Sequence, residues 1–166
     1  MLFRSQQDLL GRLVDSSAHG VAMGDEQLLL IIASNFYSAS LYTVPLLISH
    51  LALILSRQPA IIAQLRQDPS LVDSAVEEVL RFDPPAQAIN ASAAIEPIEL
   101  AGQRIAAGDS LTVLVGAANR DPRAFDQPDS FLLNRHPNPH LSFAPGLHQC
   151  LGLQLARLEV RAVLRA

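Results

Sequence analysis

Apolar residues recur at helical spacing over most of this chain and alternate with polar ones in a single stretch. Residues 6–18 predict a short amphipathic helix with Leu9, Leu10, Leu13 and Val14 on one side. His19, Gly20 and Gly24 break it, and Asp25 is the candidate N-cap of the next helix. That helix is predicted from residue 26 to about residue 57, which is about 48 Å of helix. Apolar residues occur nearly all round it, so it should be buried on most sides, with a bend at Pro45. Pro59 opens a further helix ending near Gln67. Asp68-Pro69-Ser70 restarts the chain into a helix over 70–82, whose inner face is Leu71, Val72, Ala75, Val79 and Leu80. Pro84-Pro85 ends it.

The texture then changes. Residues 98–115 carry turn signals at Ala101-Gly102 and Gly108-Asp109, and Leu111, Val113 and Val115 fall on alternate positions. Residues 119–149, rich in Asn, Asp, Pro and His, predict an ordered but irregular loop. A loop of that length inside a domain is usually functional. A last helix starts near Leu151, with Leu151, Leu155, Leu158 and Ala162 on one stripe. The fold class is therefore mainly α with a small β element, and no internal repeat or linker interrupts it.

Composition narrows the function classes. Of 166 residues, 49% are apolar and 17% charged, the balance of a packed domain rather than a disordered chain. Twelve basic and sixteen acidic residues give a net charge of -4 without a basic block, which removes the electrostatic case for nucleic-acid binding. The stretch from Gln27 to Ser56 has no Asp, Glu, Lys or Arg. Its longest purely apolar run, Leu28 to Ala33, is far short of the ~20 residues of a membrane span, so a helix buried in a soluble protein is expected. The amino end lacks a basic-then-apolar signal design, and a lone Cys forms no internal disulfide. A cytoplasmic location is expected.

That cysteine carries the chemistry. Ser142 to Gly152 reads SFAPGLHQCLG, a loop that delivers Cys150 to the start of a helix. A helix N-terminus offers unpaired N–H groups and a positive dipole end, which favour a thiolate, the form that binds iron. Gly146 and Gly152 allow a close approach of backbone to a flat ligand and to sulfur. An isolated cysteine is more often an inert buried thiol. The spacing argues otherwise. Phe143, Gly146, Cys150 and Gly152 stand as F-x-x-G-x-x-x-C-x-G, which resembles the haem-ligand signature of the cytochrome P-450 family.

Glu78 and Arg81 form an E-x-x-R on helix 70–82, followed by Phe82-Asp83-Pro84-Pro85. Alone, such a pair is a common surface feature. In this order, with Asn119-Arg120-Asp121-Pro122, AFDQPDSF and FLLNRHP, it resembles bacterial members of the same family. The resemblance runs from about residue 6 to residue 166. It implies Cys150 as proximal ligand of haem b (iron protoporphyrin IX), with Phe143, Gly146, His148 and Gly152 in the cofactor site and His148 near a propionate. It also implies that Glu78, Arg81 and a later Arg, here Arg135, brace the haem loop. Family members are more than twice this length, so the chain is expected to be one incomplete P-450 domain, residues 1–166, lacking the amino-side half and the extreme carboxyl end.

Departures from the family pattern bear on activity. The long helix should carry A-G-x-[D/E]-T, whose acid and threonine relay protons; here Ala33-Ser34-Asn35-Phe36-Tyr37 align. Asn35 and Tyr37 are the atypical candidates for that role, and filling core space is the competing reading for Phe36 and Tyr37. Ser92 stands where a propionate-binding Arg is usual. The implied function is a haem-thiolate oxidoreductase of the monooxygenase type, inserting oxygen into a small organic substrate with electrons from a ferredoxin-type partner. Arg157, Arg161 and Arg165 are candidates for docking that acidic partner, or a solvated basic face. A non-catalytic remnant with weak or no haem binding is the alternative, and peroxide-driven chemistry a third. The exposed apolar helix would be covered by the missing amino-side half or by self-association.

Overall fold

The computed structural model describes residue 11 and residues 24–166. The helix expected over 6–18 lies outside the described residues, apart from Gly11, which is helical. The chain divides into two compact units, residues 1–42 and 43–166, and each is described by itself.

In the first unit, α1 spans Asp25–Leu30, and a π-helical segment, Ile31–Ser38, follows without a break. The N-cap is Gly24 rather than Asp25: its N–H donates to Gln27 Oε1 at 3.2 Å, so a side chain three residues on satisfies the end. The π segment has no buried residue. Serines in and just beyond it bond back into the helix. Ser34 Oγ donates to the Leu30 carbonyl at 2.6 Å and to Asn35 Oδ1 at 3.3 Å, and Ser40 Oγ donates to the Phe36 carbonyl.

Helix α2, Ala39–Arg57, carries the chain into the second unit. It continues through Pro45, which removes one donor from the ladder without ending the helix. Only Leu47, Leu51 and Ile54 of α2 are buried, so the expectation of a helix buried on most sides is corrected. Leu46 and Leu53 stay exposed. The membrane argument is corrected as well. Residues Glu26–Arg57 form one 32-residue helix with a mean hydropathy of 1.7 in its best window, long and apolar enough to cross a membrane by length and composition. A run of pure hydrocarbon was too strict a test, because Ser, Thr and Tyr are cheap in such a helix.

Pro59–Gln67 forms α3, with Pro59 in the first turn as expected. A single 3-10 turn, Pro69–Leu71, is capped by Asp68, which accepts from the Ser70 N–H at 3.0 Å. Helix α4, Val72–Phe82, buries Val72, Ala75, Val76, Val79 and Leu80, an i, i+3, i+4, i+7, i+8 stripe. These residues form one core with Leu47, Leu51, Ile54, Ile61, Leu65, Phe131, Leu133 and Val160.

The β element is two separate hairpin-like pairs. Strand β1, Ile89–Ala93, pairs antiparallel with β4, Ser110–Val113, with a register shift between Asn90 and Ala93. Strand β2, Ile98–Leu100, pairs with β3, Gln103–Ile105, across the turn at Ala101-Gly102. Val115 does not extend the alternation; it opens the short helix α5, Val115–Ala118. Residues 119–149 hold turns and bends, as expected.

The last helix, α6, is Leu153–Arg165. Its inner face is not the Leu151–Leu155–Leu158–Ala162 stripe. Val160 is fully buried, whereas Leu151 is 82% and Leu155 54% exposed. The stripe was chosen for hydrophobicity, but α6 packs on α4 through the side that also carries its arginines.

Candidate functional site

The loop that carries Cys150 is built from α4 outward. Glu78 and Arg81 are both fully buried, three residues apart on α4. Arg81 Nε and Nη2 donate to Glu78 Oε2 and Oε1 at 2.9 and 2.8 Å, a two-pronged pair. Arg135 Nε lies 3.1 and 3.0 Å from the two oxygens of the same carboxylate. The Leu132 N–H and Asn138 Nδ2 add donors at 2.9 and 3.1 Å. Arg81 spends its remaining N–H groups on the carbonyls of Asn119, Pro128 and Ser130. Two buried charges are tolerated because nearly every lone pair and proton has a partner. The three residues expected to act together are therefore brought together, and they fix the backbone of 119–138.

Asn119, which opens the Asn119-Arg120-Asp121-Pro122 stretch, continues the path. It is fully buried. Its Nδ2 donates to Ser142 Oγ at 2.9 Å, and its Oδ1 accepts the Leu141 N–H at 2.8 Å. Ser142 Oγ in turn donates to the Leu80 carbonyl at 2.7 Å. The base of the cysteine loop is thus bolted to α4.

The next residue, Phe143, accepts the Cys150 N–H on its carbonyl at 2.9 Å, which closes the loop on itself. Gly146 has φ +131, with open space where a Cβ would sit, so backbone conformation rather than crowding calls for glycine. At Gly152 a Cβ would stand 3.9 Å from Cys150 Sγ, an ordinary contact with the sulfur. Crowding by protein atoms therefore explains neither glycine. Cys150 is exposed, as is His148. Leu147 is 97% and Leu151 82% exposed on either side of it.

Asn35 and Tyr37 stand on the π segment of the other unit, both exposed. The position aligned with the propionate-binding Arg, Ser92, lies within β1.

A second charged cluster was not legible beforehand. Arg157 of α6 donates from Nε and Nη2 to Glu77 Oε1 and Oε2 at 2.7 and 2.8 Å. His140 Nε2 is 3.1 Å from Glu77 Oε2, while its Nδ1 accepts the Ser142 N–H at 3.3 Å, which assigns the proton to Nε2. Burial works against ionisation of Glu77, but the hydrogen bonds from Arg157 and His140 and the charge of Arg157 outweigh it and hold the carboxyl at about 2. Arg161 Nε pairs with Asp73 at 2.5 Å. Arg157 and Arg161 are therefore committed within the chain, which corrects their reading as a free basic docking face.

A P-450 domain is what this combination suggests, and comparison decides it. The family model for Cytochrome P450 matches residues 18–166. The chain belongs to the cytochrome P450 family. The biotin biosynthesis cytochrome P450 of Bacillus subtilis (strain 168) is 40% identical over 160 residues, covering 94% of this chain and 39% of that protein. The crystal structure of CalO2 superposes with a TM-score of 0.88 at 36% identity, over 95% of this chain and 39% of that one. P450BioI, solved in complex with an acyl carrier protein ligated to hexadec-9Z-enoic acid, is 45% identical with a TM-score of 0.71, over 75% of this chain and 32% of its own. The chain thus spans about two fifths of the length of the P450 relatives it matches. The match includes the whole 26–57 helix, so that helix belongs to the P450 domain.

P450 proteins use haem. The fit of that group can be judged from the loop itself. Among the described residues no group of three or more His, Cys, Asp or Glu gathers to hold a bare metal ion. What the loop offers is one soft sulfur donor, a missing Cβ beside it at Gly152 and an apolar rim at Leu147 and Leu151. One sulfur donor with an apolar rim suits an iron macrocycle that would supply the metal's other ligands itself. The residues present fit the group.

Proposed function

We propose that these residues are the carboxyl-side, haem-holding part of a single P450 domain of the haem-thiolate monooxygenase type. The observation that carries the reading is Cys150: an exposed thiol on a loop whose base is anchored to a fully buried ion network. Cys150 would be the iron ligand, and Phe143, Gly146, His148 and Gly152 the rest of the cofactor site, with His148 toward a propionate. Haem b held there would supply an iron at which dioxygen is activated and one oxygen atom passed to a small organic substrate.

The chain's own residues do the holding. Glu78, Arg81 and Arg135 fix the segment that leads into the loop, so the sulfur is presented without reorganisation. Leu147 and Leu151 exclude water from the sulfur once a flat ligand covers them. Phe36 and Tyr37 take the positions of the usual acid and threonine, with Asn35 one residue before them. Phe36 carries no proton, so any proton delivery would run through the Tyr37 hydroxyl or through water held by Asn35. Electrons would come from a ferredoxin-type partner, and the protein would work in the cytoplasm. Recovery in the soluble fraction of a cell lysate is the check on that location.

The test is spectroscopic. The chain supplied with haem, reduced under carbon monoxide, should show the red-shifted Soret band of thiolate ligation, and Cys150→Ala should lose it. An unchanged band in Cys150→Ala overturns the ligand assignment. Failure of the unaltered chain to retain haem favours the non-catalytic reading, for which Phe36 in the acid's place speaks.

A further inference from the structure

Helices α4 and α6 run past each other in opposite directions, joined by two rungs: Asp73 with Arg161, and one turn on, Glu77 with Arg157. The rungs look alike in sequence and differ in surroundings. Asp73 is 67% exposed and is bonded by Arg161 through Nε. Glu77 is about half as exposed, at 31%, and takes two bonds from Arg157 and one from His140. The Arg157 guanidinium lies 4.8 Å from the centre of the Phe143 ring. The His140 ring packs against that same ring at 6.0 Å, and His140 also holds the Ser142 N–H. Phe143 is the residue whose carbonyl accepts the Cys150 N–H.

We propose that Glu77 is a positioning residue for Cys150, acting through Arg157 and His140 on Phe143, and thus on the closure of the cysteine loop. It is a second support, separate from the Glu78–Arg81–Arg135 network. The two networks divide the work. The buried one fixes where the loop begins, at residues 119–142. The Glu77 cluster fixes the Phe143 carbonyl, to which the far end returns. Arginine is required there because it must present two parallel N–H groups to a carboxylate and a flat face to a ring. Lysine does neither.

The proposal rests on the reading of Cys150 as an iron ligand for its purpose, but not for its first test. In the chain without haem, hydrogen exchange at the Cys150 amide reports the bond to Phe143 directly. Glu77→Gln and Arg157→Lys should each speed that exchange about tenfold or more, as expected for a loosened local closure, while Asp73→Asn should leave it unchanged. Equal exchange in Glu77→Gln, Arg157→Lys and the unaltered chain overturns the proposal. So does equal acceleration by Asp73→Asn, since both rungs would then be mere helix clamps. With iron protoporphyrin IX added, the ferrous carbon monoxide complex gives the second arm. Glu77→Gln should move a large part of the red-shifted band to the position of non-thiolate haem. A faster amide with no red-shifted band even in the unaltered chain would support the positioning role and overturn the ligand reading. A faster amide with the band fully kept in Glu77→Gln would overturn the link from closure to sulfur placement.

Discussion

Two regions that meet at Ser142 are built on opposite terms. Around Glu78 and Arg81 everything is buried, and both oxygens of the carboxylate are shared among several donors. Around Cys150 the chain shows sulfur and leucine to the outside, with Leu147 almost wholly exposed. The first region is finished by the chain alone. The second leaves a thiol and apolar side chains uncovered. Substitutions in the two regions should therefore differ in their effect on stability.

The largest effect is expected in the finished region. Glu78→Ala would leave Arg81 buried without its counter-charge, at a cost of about 3–5 kcal/mol. A thermal or denaturant melt within 1 kcal/mol (roughly a fivefold change in the folded-to-unfolded ratio) of the unaltered chain would break the contrast at its root. Asn119→Ala is expected next, at about 1–3 kcal/mol, because the Leu141 N–H loses its acceptor and the Ser142 hydroxyl loses the amide that donates to it. Its melt should fall between those of Glu78→Ala and the unaltered chain.

Acid should act through Glu77. Its folded carboxyl titrates at about 2 against an ordinary 4.5, so the unfolded chain takes up the proton first as pH falls. The stabilisation is complete above the ordinary value and is lost as pH falls through the window between the two. Denaturant midpoints taken down that window should drop more steeply for the unaltered chain than for Glu77→Gln. Parallel curves would remove Glu77 from the account. The smallest effect belongs to the exposed loop: Cys150→Ser should change the melt of the haem-free chain by no more than about 0.5 kcal/mol. A larger loss would mean that the sulfur is structural.

How much was legible in sequence follows the same division. Helical periodicity located the continuous 26–57 helix, α3 and α4 to within a residue or two, because their buried stripes are aliphatic and regular, but it did not show the π segment inside the first of them. Strand β1 was not foreseen, since Ile89-Asn90-Ala91-Ser92-Ala93 has little β-branched or aromatic content and owes its form to pairing with β4. The E-x-x-R and the cysteine loop were read by spacing, and the geometry joins Glu78, Arg81 and Arg135. Glu77 hid beside Glu78, and Arg157 passed for a solvated base. Their bond spans 80 positions of chain, and nothing local marks it. Asn119 escaped for a related reason, because a buried amide in a turn-rich stretch looks like any turn residue. The leucine stripe of α6 is exposed rather than turned to the core, so hydrophobicity alone does not mark that helix's inner face.

The π-helical segment at Ile31–Ser38 bears on how such chains are compared at all. A π turn closes from residue i to i+5 and so accommodates a residue more than an α turn does. Matching by column counts residues along the chain; it does not count degrees around an axis. Asn35, Phe36 and Tyr37 can therefore occupy the columns of a glycine-flanked acid and alcohol while their compass bearings are offset from those of an unbroken α-helix. A helix with this slack can absorb the gain or loss of one residue locally and hand the rest of its length on in phase. In this chain, a substitution in that column is a statement about order in the chain before it is one about direction.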